Sequence, residues 1–149
     1  MSYMFNGCPN ITSIPLLNTS KVTNMRNMFQ NCISLTLVPL LDTSNVTNMN
    51  NMFSGCSSLT TIPALDASGV TSFTNTFNSC TALAEIKMTG MKADFNISSS
   101  TQFTREALVE IITNCATVTS QTLTMGATNL AKLTQAEIDQ ATAKGWTLS

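Results

Sequence analysis

The stretch VTNMNNMFSGCSSLTTIP, residues 46–63, meets itself when the chain is shifted by 24 residues. Phe5, Phe29, Phe53 and Phe77 keep that step, as do Cys8, Cys32, Cys56 and Cys80. So do Pro15, Pro39 and Pro63, and Leu17, Leu41 and Leu65. A unit this small cannot bury its apolar face alone, so a fixed period of this size implies stacking of one unit on its copies. The sequence therefore predicts an α/β solenoid, a leucine-rich-repeat-like stack of short parallel strands and short helices. One domain is predicted over 1–149, with regular repeats over 1–90. An irregular repeat and a more helical C-terminal cap follow over 91–149.

Each repeat reads in two parts. Val46, Met49, Met52, Phe53 and Cys56 fall at offsets 0, 3, 6, 7 and 10, which fits the inner face of a short helix. Ser44 is its candidate N-cap, with Asp42 close to the helix start. Gly55 closes it, and the equivalent Gly7, Asn31 and Ser79 stand where a left-handed residue is wanted. The other part is a strand of about three residues before Pro63, because proline cannot donate to a ladder. Leu59 and Ile62 have equivalents at Ile11 and Ile14, Leu35 and Val38, and Leu83 and Ile86. Asn18, Asp42 and Asp66 form a column read as acceptors for turn N–H groups.

After Cys80 the period decays, and Lys87 takes the place of the proline. Within residues 91–103, Ser98 to Thr101 read as a polar loop or linker. Thr104 caps a helix whose inner side is Phe103, Leu108, Ile111, Ile112 and Cys115. Leu123 marks a short strand. Thr134 to Glu137 is a capping box opening a helix that closes at Gly145, and Trp146 to Leu148 supply a last strand. At the other end the chain enters in mid-repeat. The first unit is expected to leave an unpaired edge near residues 11–14, suited to an upstream repeat or a subunit contact.

Composition narrows the chemistry. Only 10% of the 149 residues are charged, against about a quarter in ordinary domains. Phosphate recognition needs clustered Lys and Arg, so nucleic acid is excluded as a partner, and an anionic membrane surface with it. No apolar run is long enough to span a bilayer, so membrane insertion is not expected. With no His, the commonest general base and metal ligand is missing. Four of the five cysteines share one phase of the repeat and read as a column of buried, reduced thiols. Parallel Cβ vectors suit a disulfide poorly, and no CxxC pair suggests zinc. Glycines stand singly, so no phosphate loop is present. No enzyme activity, cofactor or metal is expected. Sequons at Asn10, Asn18, Asn45 and Asn96 are what a chain rich in Asn and Thr produces by composition.

The pattern SNVTNMNNMFSGCSSLTTIPALD resembles the BspA-like branch of leucine-rich repeats over residues 1–88. The tail QTLTMGATNLAKLTQAEIDQATAKGW is similar to the C-terminal end of such proteins. That branch is frequent in surface proteins of gut and oral bacteria, in mycoplasma lipoproteins and in some mucosal protozoa. The resemblance implies an extracellular or cell-surface module that adheres to host matrix proteins or other cells, with a protein or glycan as ligand. The outward positions near the strands are the candidate contacts: Ser13, Leu37, Thr61 and Glu85, with Pro15, Pro39 and Pro63 beside them. The alternative is an assembly component, a phage or surface-layer decoration or fibre protein, using the first unit as a subunit contact.

Overall fold

The computed structural model describes residues 1–149. In the regular region, successive repeats lie against one another as layers held in register by backbone hydrogen bonds. Along residues 25–31 the amide donors alternate. Met25, Asn27, Phe29 and Asn31 donate across to the carbonyls of Asn48, Asn50, Met52 and Ser54, at 2.8 to 3.0 Å. Met28, Gln30 and Cys32 instead donate back to Met25, Asn27 and Phe29. The next repeat does the same, with Asn51, Phe53 and Gly55 reaching Thr74, Thr76 and Asn78.

This pattern replaces the short helices predicted for the repeats. A helix needs right-handed φ at every residue and N–H bonds to the fourth carbonyl back. Here Asn27 and Asn31 have φ of 58° and 60°, and Asn51 and Gly55 have 55° and 79°. Each is the third residue of a turn closed by an i to i+3 bond, the position where a type II turn demands positive φ. The apolar offsets still face inward, and Val46, Met49, Met52, Phe53 and Cys56 are all buried. Ser44 is accordingly no helix cap. Its hydroxyl and N–H both donate to Asp42 Oδ1, at 2.6 and 3.1 Å, closing a side-chain turn. Asn18 with Ser20 and Asn96 with Ser98 repeat that turn, and Asp66 accepts the Ser68 N–H at 2.8 Å.

Strand pairing is thinner than the sequence suggests. β1 (Thr61–Ile62) and β2 (Glu85–Ile86) are parallel, with Thr61 opposite Glu85 and Ile62 opposite Ile86. Between the strand segments of the first two repeats only the Thr36 N–H to Thr12 carbonyl bond is made along the backbone, at 3.1 Å. The prolines explain the difference. Lys87 donates to the Ile62 carbonyl at 3.0 Å, and Pro63 and Pro39 at the same phase have no N–H to give.

The core is built of columns. Phe5, Phe29, Phe53 and Phe77 stack face to face with centroids 5.6, 5.7 and 6.2 Å apart and planes within 10°. Phe95 ends the column, lying edge-on to Phe77 and to Trp146. Cys32, Cys56 and Cys80 form the buried thiol column, and all five cysteines are free. Cys8 is only half-buried, unlike the other three, because no layer covers it from below.

The C-terminal part follows its local signals. Thr104 caps α1 (Arg105–Asn114), its side chain accepting the Ala107 N–H at 3.2 Å. The capping box opens α3 (Gln135–Ala143). Lys144 then closes the far end of α1, donating through Nζ to the carbonyls of Ile112, Thr113 and Cys115. A three-stranded parallel sheet runs β3 (Phe95–Asn96), β4 (Gln121–Thr124), β5 (Trp146–Leu148). β3 lies just before the stretch read as a polar loop, and neither it nor the one-turn α2 (Ala127–Leu130) was foreseen. That stretch is also anchored: Ser100 is buried and donates to the Leu83 carbonyl at 2.6 Å.

Candidate functional site

The candidate contact residues divide into two sets. Thr61 and Glu85 face each other across β1 and β2, are half-buried, and are engaged. Glu85 pairs with Lys87 at 3.2 Å and lies 3.5 Å from the Thr61 hydroxyl. Ser13 and Leu37 are exposed, Pro15 is exposed, and Pro39 and Pro63 are half-buried. The Thr36 to Thr12 bond sets the register that places Leu37 beside Ser13 in adjacent layers.

Two further residues belong with the second set. Leu16 and Leu40 follow Pro15 and Pro39 at the same phase and are 75% and 60% exposed, while Leu37 is 61% exposed. Ala64 and the buried Met88 take that phase in the next two repeats, so the large exposed side chains stop there. Val38 and Leu41 turn inward, and the residue before each, Leu37 and Leu40, stays exposed. The signal was available in the sequence as an apolar column at Leu16 and Leu40, directly after the prolines.

Beside Leu40 lies an open groove of about 330 Å³, walled by Asp42, Ser44, Ala64 and Asp66. The Ser44 hydroxyl holds the Asp42 carboxyl below its ordinary range, and Ser68 does the same for Asp66, so both are ionised at neutral pH. The patch is therefore an apolar ridge with an acidic flank. No His, Cys, Asp or Glu cluster of three or more could hold a metal ion. Burial pushes the Cys80 and Cys115 thiols up to about 12, and Cys56 further, which keeps them from serving as nucleophiles. No helix is long and apolar enough to cross a membrane.

Neither the curated proteins nor the solved structures contain a match to this chain. A protein-family model does match, and it covers residues 1–114, which takes in the regular repeats, β3 and all of α1. By that match the chain belongs to the family described as Mycoplasma protein of unknown function, DUF285.

Proposed function

We propose that the layered repeats form a leucine-rich-repeat-like solenoid of the BspA-like kind, acting as a non-enzymatic adhesion module at a bacterial surface or in secreted form. Its ligand is a protein, taken by the lateral face that carries Leu16, Leu37 and Leu40. The observation that carries this reading is the exposure of Leu16, Leu37 and Leu40, each at 60% or more, the highest among the large apolar side chains. Scattered exposed leucines are ordinary, but grouped ones mark contact surfaces. A glycan gains little from aliphatic side chains, whereas a protein partner covers them and exposes its own apolar anchors.

The test is surface-immobilised binding of the chain to extracellular-matrix proteins, comparing wild type with the Leu37→Ser, Leu40→Ser double variant. Removing two central apolar contacts is expected to weaken binding by tenfold or more, roughly the effect of losing 1–2 kcal/mol. Both residues are exposed, so the melting temperature should not move. Binding that survives both substitutions would move the contact off this face.

A second reading, an assembly component joined through the first unit, is favoured by Tyr3 and Met4, which are 52% and 49% exposed. Light scattering over a concentration series separates the two. A monomer throughout supports the adhesion module, and association lost in a Tyr3→Ser, Met4→Ser variant supports assembly.

A further inference from the structure

The regular layers settle their backbone donors on the following layer, and that arrangement breaks at one boundary. Asn27 and Phe29 donate to Asn50 and Met52, and Asn51 and Phe53 donate to Thr74 and Thr76. Their equivalents, Asn75 and Phe77, find no acceptor in the protein, and Ser79 reaches only the Ser99 hydroxyl, at 3.1 Å. An exposed N–H in that position is satisfied by water or by a ligand. Asn75 is exposed, has φ of 55°, and lines a groove of about 300 Å³ between the last regular repeat and the C-terminal sheet.

The opposite wall of that groove is Asp94, Thr122 and Thr124, and its floor is formed by Phe73 and Phe95, whose rings lie 6.0 Å apart. Asp94 is oriented, because its Oδ1 accepts the Thr122 N–H at 2.7 Å, which leaves Oδ2 for a ligand. The groove thus offers one fixed donor at the Asn75 backbone, one fixed acceptor at Asp94, the Asn75 side-chain amide, the Thr122 hydroxyl, and the Thr124 hydroxyl, which accepts from Ser149 Oγ at 3.2 Å and is left to donate. The carboxylate opposes anions. An extended peptide would need a run of alternating backbone donors and acceptors, and the far wall offers side chains in their place. A volume at the small end of ligand sites holds one ring rather than a long chain.

We propose that this groove is a binding site for a neutral, hydroxyl-rich ligand, a terminal sugar residue whose hydroxyls bridge the Asn75 N–H and side-chain amide on one wall and Asp94 Oδ2 on the other. It shares no residue with the leucine-bearing face, so it stands or falls independently of the protein-binding reading.

The experiment is a ¹H–¹⁵N titration of the whole chain with methyl glycosides of glucose, galactose, mannose and N-acetylglucosamine. Tetra-alanine and sodium acetate serve as contrasting probes. At least one glycoside should give saturable shifts confined to residues 73–75, 94–96 and 122–124. Asp94→Asn keeps an oxygen for the Thr122 N–H and loses the charged acceptor, so affinity should fall about tenfold. Asn75→Gly keeps the positive φ and removes the side-chain amide, so it should also weaken binding while leaving the rest of the spectrum in place. If no glycoside saturates these amides, or if tetra-alanine or acetate does so instead, the assignment is overturned. If the Asp94→Asn spectrum changes throughout, Asn75→Gly decides, and undiminished affinity there overturns the proposal.

Discussion

The Cys56 thiol donates to the carbonyl oxygen of Phe29, 3.0 Å away in the preceding layer. Cys32 and Cys80 make the same bond to Phe5 and Phe53, each at 3.1 Å. The thiol column is therefore a row of ties between layers rather than a reserve of reactive sulfur. Each tie shares a carbonyl that already closes a turn, Phe29 for instance accepting the Cys32 N–H at 3.1 Å as well.

Thiol accessibility follows from this. In native protein at neutral pH, a maleimide should label Cys8 and spare the other four cysteines until denaturant is added. Cys8 is half-buried and has no carbonyl beneath it, while burial raises the others and holds them as thiols. Mass spectrometry counts the adducts, and rapid addition of more than one would contradict the column.

Phe53 is stacked on both faces and fully buried, and its replacement by Ala should cost about 3–5 kcal/mol. Phe5 stacks only on Phe29 and is half-buried, so Phe5→Ala should cost clearly less. Equal losses in urea melts would mean that the first layer is as well packed as the third.

Asn51 separates a turn from a helix by experiment. At φ of 55°, Gly is at ease and Ala is strained by roughly 1–2 kcal/mol. Asn51→Gly should therefore melt above Asn51→Ala, whereas a helix would favour Ala by about 1 kcal/mol.

Asp42 and Asp66 are both held below the ordinary value of 3.8, first by the hydroxyls of Ser44 and Ser68 and then by their N–H groups. A folded-state value below the unfolded one adds stability above pH 3.8 that is lost as pH falls through the folded value. Asn18 and Asn96 close the same turn without a charge. The Asp42→Asn, Asp66→Asn variant should thus fold normally and show a shallower loss of stability in acid. Urea midpoints at neutral pH and at about pH 3 check this, and parallel curves for variant and wild type would remove these carboxylates from the account.

Thr43 is 2% exposed and its hydroxyl has no hydrogen-bond partner, as is also true of Thr19 one layer earlier. Ala67 fills the phase in the next layer, so the site needs only a small side chain. Thr43→Val keeps the shape and removes the unpaired hydroxyl, and should stabilise by about 1 kcal/mol in urea unfolding. A loss of stability would mean that the hydroxyl is bonded after all.

The columns were legible because a fixed period places equivalent residues in line whatever the local backbone does. From the second repeat onward the Phe, Cys and Met positions therefore came out buried even though the helix carrying them did not form. Offsets 0, 3, 6, 7 and 10 suit a helix face and a chain of tight turns equally. The distinguishing mark was Asn or Gly recurring four residues apart, at Asn27 and Asn31 and at Asn51 and Gly55. That spacing records positive φ, which an apolar pattern does not register. Thr104 and the Thr134 capping box were readable because caps act within one turn. β3 was not, since Phe95 and Asn96 pair with residues 28 positions onward and carry no alternation of their own. On the candidate face, Leu37 was found from its phase beside the strand. Leu16 and Leu40 were passed over because the leucines next to them, Leu17 and Leu41, account for the apolar signal.

Because each repeat is tied to the next by its own row of backbone bonds, a load applied between Met1 and the C-terminal sheet meets those rows one after another. The row nearest Met1 runs from Tyr3, Phe5 and Gly7 to Arg26, Met28 and Gln30. Each row that opens frees 24 residues, about 80 Å of extended chain. Tension would therefore be dissipated in small, even steps, and an attachment made through the lateral leucines would bear on the row that joins the repeats carrying them.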